Sequence, residues 1–401
     1  MIDLLGFTSI FLVSLITFFI ALKSPEISRI LLVALTIRVF FLLIGHFIIP
    51  LPGSTSDAVD FEIKAWELAE KGFFYILNNF STNPFVVFSS LHAIPYSLFG
   101  RSILMGQSIS LLFGMGVIFL GWKLANILWN KRTANKVGWT IALFPSLILY
   151  SVLFMREIYI CFFLLLALCG VVSWFKTESF KSIILALIGF IGATILHGAM
   201  LVGAIVFMTI VGIKNLKQLF KSLINLRINL KNLIIITFFI ISSGFYLSNK
   251  VDVPYLGNFK DSTNIVLLLE RTNFAFAGTA SWPEWTKAKT PIELLYKAPV
   301  RSVYFIFSPF PWDIKKTEHL LGVFDGILYM YLFFLILRNI KIIWRDPVLR
   351  VILIILLTYI IIFGFGVGNF GTGLRHRSKI SVMLILLAGP LIKSLVFKKN
   401  Y

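Results

Sequence analysis

The stretch LLGFTSIFLVSLITFFIAL, Leu4–Leu22, carries no charged side chain. It is long enough to cross the hydrocarbon core of a bilayer, which takes about 20 residues of helix. No basic segment precedes it and no small-residue cleavage site follows, so it reads as a retained span rather than a signal peptide. The rest of the chain repeats the pattern. Of 401 residues, 58% are hydrophobic and 14% charged, and the mean hydropathy is +0.91. A soluble domain of this size has no interior large enough for that much apolar surface. A helix satisfies its own backbone hydrogen bonds where water is absent, so helices are the expected spanning element.

About eleven spans are expected from run length, at roughly 4–22, 30–49, 103–122, 137–154, 158–175, 182–196, 198–213, 233–248, 320–337, 351–368 and 380–397. The fold class is therefore all-α: a polytopic integral membrane protein, one transmembrane domain over residues 1–401. The net charge of +19 lies between the apolar runs, not on a basic domain face, which argues against nucleic acid. Alternate loops collect Lys23, Arg29, Lys123, Lys131, Arg132, Lys136 and many more basic residues on one side. Only Glu26, Glu178 and Asp346 oppose them there. That side reads as cytoplasmic, with the N-terminus outside and the C-terminus inside. Cys161 and Cys169 share one apolar run and read as packing residues, neither a disulfide framework nor a zinc site.

Two long segments, 50–101 and 249–319, then face outside, together with tight turns near Arg156, His197 and Arg375. Loops of that length are usually functional. The first contains GSTSDAVDFEIKAWELAEKG, Gly53–Gly72, which gathers Asp57, Asp60, Glu62, Glu67 and Glu70. Residues 57–71 read as a short amphipathic helix in this first outer loop, capped by Ser54, Thr55 or Ser56. Acids at a helix start suit the dipole; alternatively, one carboxylate is a general base for a hydroxyl nucleophile. The following residues 85–99 are too short to span and read as re-entrant or interfacial.

Three further constellations face the same compartment. In FPSLILYSVLFMREIY the pair Arg156–Glu157 sits at membrane depth, where charges pair with one another or line a polar cavity. In GFGVGNFGTGLRHRSK, Gly364–Lys379, the residues Arg375, His376, Arg377 and Lys379 crowd an outer turn, against the positive-inside bias. Arginines there suit forked hydrogen bonds to phosphate oxygens, and five glycines would let backbone amides approach an anion. The same residues also fit close helix packing and lipid head groups. In PVRSVYFIFSPFPWDIKKTEH, Arg301 is a second phosphate-binding candidate and Trp312 a belt aromatic or acceptor contact. His197 is either a structural histidine or an acceptor contact. Arg38, inside the second span, is expected to face the bundle interior.

The layout resembles the GT-C superfamily of polytopic glycosyltransferases, locally its bacterial family-39-type members. SDAVDFEIKAWELAEKG is similar to that family's first outer loop, and SLFGRSILMGQSISLLFGMGVIFLGWKLANILW to its next span and cytoplasmic turn. FPSLILYSVLFMREIY resembles its Pro-led span ending in an acid at the second outer loop. GNFGTGLRHRSK resembles a Gly-Thr-x-x-Arg-x-Arg element of membrane proteins from surface-polysaccharide loci. The likeness is good over about residues 50–180 and patchy elsewhere.

The resemblance implies a catalytic aspartate at Asp57 or Asp60 and a second-loop acid at Glu157. It further implies a polyprenyl-phosphate- or diphosphate-linked sugar donor, a glycan or lipid acceptor, and chemistry on the outer face of a bacterial cytoplasmic (inner) membrane. Its pathway would be surface polysaccharide biosynthesis (O-antigen of lipopolysaccharide, or capsule), with single-sugar transfer and repeat-unit polymerisation both open. Phosphate contacts are expected from Arg375, Arg377, His376, Lys379, Arg301 and Arg156. Glu157 is expected to hold a divalent cation or orient the acceptor, although no motif requires a metal. The competing class is a transporter or flippase of an anionic lipid-linked glycan, against which stands the lack of repeated halves.

Overall fold

The computed structural model describes residues 3–79, 81, 83–224, 279–315 and 319–393, with isolated positions between 237 and 276. The span expected at 233–248, the part of 249–319 up to about 278, and the last residues of the span 380–397 lie outside the described residues. In chain order the helices are α1 (Leu4–Lys23), α2 (Pro25–Phe47), α3 (Asp57–Ala69), α4 (Phe73–Asn78), α5 (Pro84–Phe99), α6 (Ile103–Leu128), α7 (Lys131–Leu143) and α8 (Pro145–Tyr150). They continue as α9 (Glu157–Thr177), α10 (Phe180–Leu196), α11 (Leu201–Ile224), α12 (Pro291–Phe307), α13 (His319–Arg338), α14 (Ile340–Arg345), α15 (Pro347–Gly366) and α16 (Phe370–Ala388). Among the described residues the one pairing of extended backbone is an antiparallel bridge between Ser281 and Asn369.

Six helical segments among the described residues are long and apolar enough to cross a membrane: α1, α2, α6, α9, α15 and Gly198–Ser222, which contains most of α11. Their outward faces are greasy. On α1 alone, Leu4, Phe11, Phe19 and Leu22 are exposed, an arrangement water does not tolerate and lipid does. The molecule is compatible with a multi-pass membrane protein.

Inside the bundle, small residues set the spacing. A Cβ on Gly170 would run into the backbone of Ala186, and one on Gly189 into the backbone of Ala167, so α9 and α10 approach as closely as helices can. The Cys161 thiol on α9 donates to Ser378 O on α16 at 3.3 Å, and both cysteines are free.

Residues 137–154, expected as one span, are instead α7 and α8 separated at Phe144. Pro145 has no N–H to return to Ile141 O, so the ladder breaks there. Buried Arg38 on α2 fills the gap: Nη1 donates to Ala142 O at 2.8 Å and Nη2 to Ile141 O at 3.4 Å. Carbonyls orphaned in a bilayer need a protein donor, and a guanidinium carries five.

Around α3, Phe61 stacks on Phe85 and meets Phe88 edge-on, while Ser89 Oγ donates to Phe61 O at 3.0 Å. Arg101 forks onto Glu62 at 3.0 and 2.6 Å. The helix therefore lies fixed along α5, which has 16 residues and contains Pro95. At the other end of the chain, Phe370 N donates to Ala280 O and Trp282 N to Gly368 O, at 3.0 and 2.9 Å. These two bonds and the Asn369 side chain, which accepts from Thr372 N at 2.8 Å, set where α16 begins.

Candidate functional site

The site forms where three distant segments meet: the start of α3, the start of α9 and the second turn of α16. Ser56 occupies the N-cap position of α3, but the capping hydrogen bond expected from the sequence is not made. Its hydroxyl turns to Asp57 Oδ1 at 3.3 Å instead. Asp57, the first residue of α3, projects towards α16, where Arg375 Nη1 donates to Asp57 Oδ2. Asp60, one turn further on, is exposed. The structure thus separates the two candidate bases: one engages a cation, the other faces outward.

Glu157 opens α9 and is fully buried. Its Oε1 accepts from Arg375 Nε at 3.0 Å and is ion-paired with Arg375 Nη2 at 3.0 Å, with Lys379 Nζ at 3.9 Å. Arg375 and Lys379 are one helical turn apart on α16 and so share a face. Lys379 is also fully buried, and its Nζ lies 2.7 Å from His376 Nδ1. His376 packs edge-on against His197 with ring centroids 4.8 Å apart, and both rings lie against Phe363.

Arg156, one residue before Glu157, donates to Leu196 O at 3.2 Å and lies over the Phe61 ring at 5.4 Å. The cluster therefore gathers three basic side chains, Arg156, Arg375 and Lys379, around two carboxylates, with Arg375 paired to both. It is graded in depth: the Asp57 side chain is 44% exposed, Arg375 21%, and Glu157 0%. Burial opposes ionisation of Asp57, but the charge and hydrogen bond of Arg375, helped by Ser56, outweigh it and hold the carboxyl below the usual aspartate range.

Two of the expected phosphate ligands sit elsewhere. Arg377 is fully buried and faces away from Arg375. It forks onto Asp325 Oδ2 at 3.0 and 2.7 Å and donates to Ile306 O, Ser308 O and Gly322 O at 3.1, 2.5 and 3.3 Å. Arg301 is fully buried too, donating to Gly364 O, Phe365 O and Val367 O at 3.0, 2.8 and 2.9 Å, and to Thr286 O at 3.1 Å. Both guanidinium groups close helix ends that would otherwise leave carbonyls unpaired. Trp312 is exposed and stacks on Phe310.

Several groups of the Gly364–Lys379 stretch are used within the fold. Gly364 lies within α15 against the backbone of Ser302, and the amides of Phe370, Thr372 and Gly373 all serve the start of α16. Glu157, with both Arg375 and Lys379 upon it, is not open to an acceptor. No group of three or more His, Cys, Asp or Glu side chains is placed to hold a metal ion among the described residues.

Asp325 escaped the reading of the sequence. The signal was there: a lone carboxylate in the apolar run of α13, where a buried charge demands a partner. Also unforeseen is the buried trio in which His92 Nε2 and Ser110 Oγ meet Tyr159 Oη at 2.9 and 3.2 Å. Neutral groups of this kind leave no pattern in the chain. No protein-family model matches this chain, and neither a curated protein nor a solved structure does, so its function is argued from the cluster itself.

Proposed function

We propose that the protein is a membrane glycosyltransferase, of the GT-C kind its loops resemble, with about eleven spans. It would move a sugar or oligosaccharide from a polyprenyl phosphate or diphosphate to a hydroxyl acceptor. The reaction would lie on the outer face of a bacterial cytoplasmic membrane, in surface polysaccharide assembly. The observation that supports this reading is the meeting of Asp57 with Arg375: a half-exposed carboxylate in contact with a cation that a second, buried carboxylate holds in place.

In this reading the acceptor hydroxyl attacks the anomeric carbon and its proton passes to Asp57. The bond from anomeric carbon to phosphate oxygen breaks, and the electron pair leaves with the phosphate. Arg375 meets the charge growing on that oxygen, the contribution that is usually largest in such chemistry. Lys379 and Arg156 raise the positive potential behind it. Glu157 is a positioning residue that orients the Arg375 guanidinium. Arg377 and Arg301 hold the helices on which the site is built.

The test is deletion of the gene in its host, inspection of the surface glycan, and complementation. Loss or shortening of the glycan, restored by the native protein and not by Asp57→Asn, is the expected result. General-base help contributes about 10²–10⁴ in rate, so the variant should fall by that factor. An unaltered glycan in the deletion strain would refute the reading. Loss with Asp60→Asn in place of Asp57→Asn would move the base one turn along α3.

A further inference from the structure

Arg375 serves two carboxylates that differ in how firmly they hold it. Glu157 is fully buried and presents one oxygen to two Arg375 nitrogens, with Lys379 Nζ beside it. Asp57 is reached by one nitrogen and is 44% exposed, and its other oxygen takes only the Ser56 hydroxyl. The bulk of α3 is pinned by the Arg101–Glu62 fork and by Ser89 on Phe61 O. The Asp57 side chain can therefore leave Arg375 by rotation alone, without moving the helix.

We propose that Arg375 Nη1 is an exchange position: a phosphoryl oxygen entering the site takes it from Asp57, and the carboxylate so released is the proton acceptor. This rests on the glycosyl-transfer reading and adds an order of events to it. With no anion bound, the carboxylate is engaged by Arg375. Once the donor's phosphate is seated, Asp57 has lost its cation and gained a negative neighbour, so its affinity for a proton rises. Base strength appears only when the donor is present. Glu157 keeps Arg375 in place through the exchange, because it holds Nε and Nη2 and not Nη1.

Competition for one guanidinium nitrogen has a consequence that a purely supportive aspartate would not show: removing the competitor strengthens anion binding. The experiment uses the full chain in nanodiscs of neutral lipid. The probes are a C15 prenyl monophosphate and, separately, inorganic phosphate, titrated calorimetrically. Asp57→Asn should tighten binding about two- to fivefold, the range expected when a partly exposed ion pair no longer competes. Glu67→Gln removes one charge from the same helix at an exposed position paired with Lys64, and should change affinity by less than about twofold. Arg375→Lys keeps the charge, loses the fork and should weaken binding.

Tightening with prenyl phosphate alone supports the exchange and identifies a lipid headgroup as its source; tightening with both probes supports it for any phosphoryl anion. Binding that Asp57→Asn leaves unchanged or weakens, or that Glu67→Gln tightens equally, overturns the exchange and leaves the glycosyl-transfer reading standing. Failure of the native protein to bind either probe overturns both.

Discussion

Arg375 and Arg377 are two residues apart on one helix and live in different worlds. Arg377 is wholly buried and spends its donors on Asp325 and three backbone carbonyls. Arg375 is 21% exposed and makes its hydrogen bonds to two carboxylates, one of them in reach of solvent. A helix turns about 100° per residue, so a spacing of two sends side chains to nearly opposite faces. The difference shows how to sort arginines in a protein of this kind. Those that serve carbonyls, Arg38, Arg301 and Arg377, replace missing backbone donors where water cannot. One that serves an exposed carboxylate has a partner it can exchange.

The comparison breaks most visibly at Arg377. Arg377→Ala leaves Asp325 charged and unpaired in the bundle and strands the carbonyls of Ile306 and Ser308 at the end of α12, a loss of about 3–5 kcal/mol. The unfolding midpoint of the purified protein should drop steeply. A variant as stable as the native protein would show that Arg377 is not structural. Next comes Arg375→Ala, where Lys379 still faces Glu157, so about 1–3 kcal/mol is expected, accompanied by loss of phosphate binding. If this variant proves the less stable of the two, the distinction between the arginines is reversed.

A smaller effect is expected at the far end of the bundle, where Lys131 meets Glu26 at 2.6 Å with both side chains well exposed. Lys131→Ala should change stability by about 0–1 kcal/mol and become neutral in high salt. The smallest effect concerns pH. Asp57 has a folded-state pKa below its unfolded value, so its pairing with Arg375 stabilises the fold above the ordinary aspartate pKa of about 3.9. That contribution disappears as pH falls through the lower, folded value. A comparison of acid unfolding in the native protein and Asp57→Asn should show a difference above this window that vanishes below it; curves that run parallel throughout would mean that the pair contributes nothing.

Much of the site was legible in the chain because it went against rules. Basic residues crowded an expected outer turn, a charged pair sat between two apolar runs, and acids collected after a span. Each anomaly named a residue that the fold brings together: Asp57, Glu157, Arg375, His376 and Lys379. The roles of Arg377 and Arg301 were not legible. A sequence marks a guanidinium but says nothing of which carbonyls lack a donor, since that depends on where neighbouring helices end. The break at Pro145 was visible as a proline, yet its consequence required knowing that Arg38 lies against it.

By itself the sequence determined that the chain is helical and suited to a membrane, because run length and apolarity act locally and need no partner. It also determined that α3 starts at its acids, since helix starts favour them. Only the tertiary structure decided which acid meets which base. Asp57 and Arg375 are 318 positions apart, and their contact depends on packing that brings the start of α3 against the second turn of α16. Charge complementarity acts over a few ångströms, and it is packing that brings the charges within that range.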